Sequence, residues 1–215
     1  MISFLASLRS PRRLLPLGVL GGLALAVLPA ASAQATPLIN TDACDNATLT
    51  QPFQQFGDPS YYKLVPGGDF EGSLSGWTLS GAKRMSGSEP FGATGTVGES
   101  SLYVPAGASV QSPYTCVDAA YPTFRFFGRN NGLLSIVAVS IVYKEPLLGT
   151  TTLPVGLFAL SGSWAPSAGM TTLSLPQGIL DAVLTGQTPQ VALRFTSVTG
   201  SSQIDDVFID PHMMR

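Results

Sequence analysis

Proline and glycine recur every eight to twelve residues through most of the chain, and short runs rich in Val, Ile, Leu, Phe and Thr lie between them. Punctuation this dense breaks helices and suits a sandwich or barrel of short strands. The runs predict strands near residues 62–65, 77–79, 101–104, 109–116, 123–130, 133–144, 151–160, 171–175, 190–198 and 203–210. One helical candidate stands among them at 177–185, where Ile179, Leu180, Val183 and Leu184 share a face and Gly186 supplies a stop. It reads as a turn or two inside a connection. Residues 34–61, with Asp42, Asp45, Asn46, Pro52, Asp58 and Pro59, read as an irregular arm ahead of a β domain spanning 62–211.

The first 33 residues have a different character. Arg9, Arg12 and Arg13 precede an apolar run from Leu14 to Leu28, and Ala31-Ser32-Ala33 offers small residues to a peptidase. That is the pattern of a signal peptide, with cleavage expected after Ala33. Pro16, the glycines and Pro29 interrupt a run shorter than the roughly 20 apolar residues of a membrane span. A secreted product without a membrane anchor follows as the expectation. Removal of this segment takes three of the 11 basic residues and none of the 13 acidic ones, leaving a net charge near −5. Nucleic acid is therefore an unsuitable partner.

Charged residues make up only 11% of the chain, and Ser, Thr and Gly fill the surface positions instead. In an oxidising compartment the two cysteines, Cys44 and Cys116, most simply form one disulfide. A thiol or triad active site is hard to build, because the only histidine, His212, lies close to the end of the chain.

Two predicted strands alternate clearly enough to define surfaces. In 190–198, Val191, Leu193 and Phe195 face the core and Arg194 faces outward. In 123–130, Phe124 and Phe126 alternate with Arg125, Phe127 and Arg129, so that two guanidinium groups flank an outward aromatic ring. A sugar ring stacks on an aromatic face while Arg forks bond its hydroxyls, which makes Arg125, Phe127 and Arg129 the candidate ligand-binding residues. The alternative is that a loop covers Phe127 and that acids pair with the arginines. Residues 133–144 are apolar on both faces, so the second face requires a cover.

Three segments together resemble a family. Gly67-Gly68-Asp69-Phe70-Glu71-Gly72 leads into Leu74-Ser75-Gly76-Trp77, Ser161-Gly162-Ser163-Trp164 follows, and Ile204-Asp205-Asp206-Val207 stands near the end. They look like the signatures of galactose-binding-like jelly rolls, in particular carbohydrate-binding modules of the family 4 and family 9 type. The resemblance implies an all-β jelly-roll β-sandwich with at most one short helix, whose first and last strands meet. It also implies a structural calcium ion beside that junction, carried over to Asp69, Glu71 and Asp205, with Trp77 and Trp164 packed in the core. The alternative for the three acids is that they cap turns through hydrogen bonds. The spaced Trp and Tyr platforms of a polysaccharide groove are missing from the motif pattern, although Tyr103, Tyr121 and Tyr143 are available.

The functional expectation is a secreted, non-catalytic carbohydrate-binding-module-like domain with a poly- or oligosaccharide partner. One alternative is an extracellular structural or protein-interaction sandwich without glycan binding, which draws on the doubly apolar strand at 133–144. A small glycan-acting enzyme is the other, with Glu71 or the Asp205-Asp206 pair as its nominated carboxylates.

Overall fold

The computed structural model describes residues 48–117, 123–145, 149–171 and 190–210. The chain divides into two compact units, Met1–Thr36 and Pro37–Arg215, and all described residues belong to the second. The signal peptide, Cys44 and the helical candidate at 177–185 lie outside the described residues. No described helix is long and apolar enough to cross a membrane.

Among the described residues, thirteen strands form two antiparallel sheets packed as a jelly-roll β-sandwich. One sheet joins β10 (Ala165–Pro166), β7 (Thr123–Asn130), β13 (Ser202–Asp210), β4 (Ser100–Val104) and β3 (Lys83–Ser86) in that order. Strand β1 (Lys63–Leu64) pairs with β13 and β11 (Met170–Thr171) with β7. The other sheet runs β2 (Thr78–Ser80), β5 (Ser109–Gln111), β12 (Gln190–Thr199), β8 (Ser135–Glu145) and β9 (Gly149–Leu160), with β6 (Thr115–Cys116) also on β12. The predicted strand at 109–116 divides in two around Pro113, which lacks the N–H that a continuous ladder needs. The short strands β3 and β10 were not expected. Lys83 to Ser86 has no apolar alternation, and Ala165–Pro166 is too brief to show any.

Alternation sorts the core as anticipated. Phe124 and Phe126 of β7, Val191, Leu193 and Phe195 of β12, and Val137, Val139 and Ile141 of β8 all lie between the sheets. Phe126 meets Phe195 edge-to-face with ring centroids 5.0 Å apart. On the outer side of β8 and β12, Val142 and Ala192 are also buried, so that end of the doubly apolar strand is covered.

The opening and closing segments meet. Lys63 and Leu64 pair with Ile209 and Phe208, and Val207 exchanges hydrogen bonds with Val65 and Gly68. A Cβ on Gly68 would stand 2.8 Å from the Val207 carbonyl oxygen, so glycine is required where the two segments touch. Trp77 fills the inner core as expected, edge-to-face against Phe70, and its Nε1 donates to the Pro66 carbonyl at 2.8 Å.

Candidate functional site

The outward stripe of β7 exists, but most of it is covered. Phe127 is 0% exposed and belongs to a second apolar cluster with Phe53, Tyr62, Ala93 and Phe208 on the outer side of the β13 sheet. Residues 48–61 supply the cover: Thr50 bridges to Tyr62, and a short 3-10 helix at Gln54–Phe56 carries Phe56 against the Phe127 ring. Phe91 closes the other side at 5.6 Å between centroids. The expectation of an open Phe127 platform is thus corrected. An aromatic ring on an outward strand position is stabilised more by burial under other rings than by exposure.

Arg125 is corrected in the same way. Its Nη1 bonds Asp58 Oδ2 at 2.7 Å, its Nε donates to the Ser167 carbonyl, and its guanidinium lies 4.3 Å from the Phe53 ring centroid. With Tyr62 and Ser60 also donating to Asp58, the group clamps the arm to the sheet. Burial raises the Asp58 pKa, but the hydrogen bonds from Tyr62, Ser60 and Arg125 outweigh it and hold the carboxyl at about 2. Burial also pushes Tyr62 up to about 12.

Arg129 remains partly exposed. Its guanidinium lies over the half-buried Trp164 ring, 5.0 Å from the centroid, and its Nε donates to Gln203 Oε1. Trp164 does not enter the core between the sheets; it packs at the rim of the outer cluster. The Gly-Ser-Trp segment shows a tryptophan, but only the pairing of Ala165 with Gly128 brings that tryptophan beside β7. The binding candidate therefore narrows from Arg125, Phe127 and Arg129 to Arg129 together with Trp164.

The acidic residues at the strand junction do not group as expected. Glu71 Oε1 accepts from the backbone N–H groups of Glu99 and Ser100, and Asp69 Oδ1 accepts from that of Glu71. Asp205 accepts from Ser88 Oγ and from the N–H groups of Glu89 and Asp206. These are the turn-capping contacts that were the alternative reading. A register irregularity between Asp205 and Phe208 breaks alternation and buries Asp205 and Asp206 together, with Asp206 at a positive φ of 44°. Burial raises both carboxyls, and Asp205, Glu89 and Asp69 add to the effect on Asp206 through their charge. Among the described residues no group of three His, Cys, Asp or Glu is arranged to hold a metal ion. Oxygen donors suit calcium, but neither the expected Asp69, Glu71 and Asp205 nor the neighbouring Glu89, Asp205 and Asp206 make such a group. At 0% and 3% exposure, Asp205 and Asp206 are also out of reach of a sugar.

No protein-family model matches this chain, and no curated protein matches it in sequence. Solved structures do. The family 22 module and GH10 modules of Clostridium thermocellum endo-1,4-β-D-xylanase 10B, complexed with xylohexaose, match 71% of this chain with 14% identity and a TM-score of 0.51. The tandem family 22 modules of a Paenibacillus barcinonensis xylanase match 68% with 14% identity and a TM-score of 0.47. TmCBM61, complexed with β-1,4-galactotriose, matches 69% with 12% identity and a TM-score of 0.42. This chain spans 29% of the first of these chains and 44% of the second. At such identities the likeness is one of fold, and the fold is the jelly roll seen in carbohydrate-binding modules.

Proposed function

We propose that this chain is a secreted, non-catalytic carbohydrate-binding module whose ligand-contacting centre is Trp164 and Arg129, and that its opening and closing motifs reflect the family 4 and 9 type. The observation that carries the reading is the half-buried indole beneath a guanidinium, on the outer face of a jelly-roll sheet. An indole stacks on the apolar face of a sugar ring, and the guanidinium N–H groups donate to its oxygens. Gln203 holds Arg129 in place, which lowers the ordering cost of binding. The burial of Asp205 and Asp206 supports the non-catalytic reading. The calcium expected at Asp69, Glu71 and Asp205 does not enter this reading, because no group of three such side chains among the described residues is arranged to hold a metal ion. Sedimentation with insoluble polysaccharides tests the binding, with retention of the protein as the expected result.

A second reading, an extracellular sandwich for protein contacts, is favoured by one observation. Leu157 is 69% exposed opposite Ala138, and Leu133 and Leu134 stand exposed just ahead of β8. A sizing column run beside the sedimentation assay separates the two, because self-association without polysaccharide retention would favour this second reading.

A further inference from the structure

The Arg129 site continues across the sheet. Arg129 of β7 stands directly opposite Gln203 of β13, Gln203 opposite Tyr103 of β4, and Tyr103 opposite Lys83 of β3. Directly opposed residues share a face, so Arg129, Gln203, Tyr103 and Lys83 form one row, and Trp164 ends it through its contact with Arg129. Adjacent strands lie about 4.8 Å apart, which places Arg129 and Lys83 roughly 14 Å apart, an oligosaccharide's reach and not a single ring's.

The row repeats one chemical unit at its two ends, a cation on an aromatic ring. Arg129 lies over Trp164, and Lys83 Nζ stands 5.8 Å from the Tyr103 ring centroid. The middle is a scaffold: buried Gln203 accepts from Arg129 Nε and donates to Ser101 Oγ at 3.4 Å. With Nε taken, Arg129 keeps its two terminal nitrogens, the fork that pairs with a carboxylate. Among the described residues neither cation has a carboxylate partner, and the ion pair seen there joins Arg125 to Asp58. Two unmatched cations in a chain of net negative charge are not needed to bind a neutral sugar.

We propose that this row binds an acidic glycan, a chain of uronic acid units whose rings lie on Trp164 and Tyr103 while their carboxylates meet Arg129 and Lys83. The inference rests on the carbohydrate-binding reading and adds the ligand's charge. Affinity electrophoresis through gels containing polygalacturonate, alginate or glucuronan, each beside its carboxyl-reduced neutral counterpart, tests it. The expected result is retardation by at least one acidic polymer, weakened about tenfold on carboxyl reduction and severalfold in Arg129→Gln and in Lys83→Gln. Thermal melting of both variants confirms that they are folded. Equal binding to an acidic polymer and its neutral counterpart, or indifference to both substitutions, overturns the inference and leaves the carbohydrate reading standing. Equal retardation by polyglutamate reduces the row to ionic adhesion and overturns the inference, whereas no retardation by any polysaccharide, acidic or neutral, overturns both.

Discussion

Phe53, from the segment ahead of the first strand, stacks on Phe127 of β7 with ring centroids 5.3 Å apart and an interplanar angle of 21°. That contact turns an outward strand position into a second core. Phe53→Ala and Phe127→Ala should therefore each destabilise the fold by about 3–5 kcal/mol, as much as Phe126→Ala between the sheets. Chemical denaturation of the three variants checks this. A benign Phe127→Ala would mean that the ring is not packed.

The clamp beneath this cluster gives a pH dependence. Asp58 has a folded pKa of about 2, below its unfolded value. Its contribution is thus fully present above about pH 4 and is lost as pH falls through about 2. Solvent screening of this partly exposed carboxyl reduces the contribution to about 1–2 kcal/mol. The stability gap between the native protein and Asp58→Asn should shrink by that amount between pH 5 and pH 2, as measured by urea unfolding.

The strand pattern was legible because proline, glycine and two-residue alternation are local. Phe124, Phe126, Val191, Leu193 and Phe195 lie where parity put them. Parity also sent Phe127 outward correctly, but it carries no information on what covers an outward face. The cover comes from Phe53 and Phe56, in a segment with no periodicity to read. Asp206 escaped for a related reason. A register irregularity at the end of β13 places two neighbouring acids in the interior, and nothing in Ile-Asp-Asp-Val marks that irregularity. Trp164 was legible as a tryptophan and misplaced as core, since its position depends on the short pairing of β10 with β7.

No described cysteine is free, and Cys116 is the one cysteine within the described residues. We expect Cys44 as its disulfide partner. Intact-mass measurement after alkylation should then show no label without reduction and two labels after it. Reduction should cost up to about 4 kcal/mol of stability. Uptake of two labels without reduction would refute the bond.

Affinity electrophoresis of the native protein and Trp164→Ala over a panel of neutral and acidic polysaccharides measures carbohydrate binding through Trp164. At least one polysaccharide should retard the native protein, and the variant should lose about tenfold in affinity, in line with the worth of an aromatic contact. A panel blank for the native protein, or equal retardation of a folded Trp164→Ala, would contradict it.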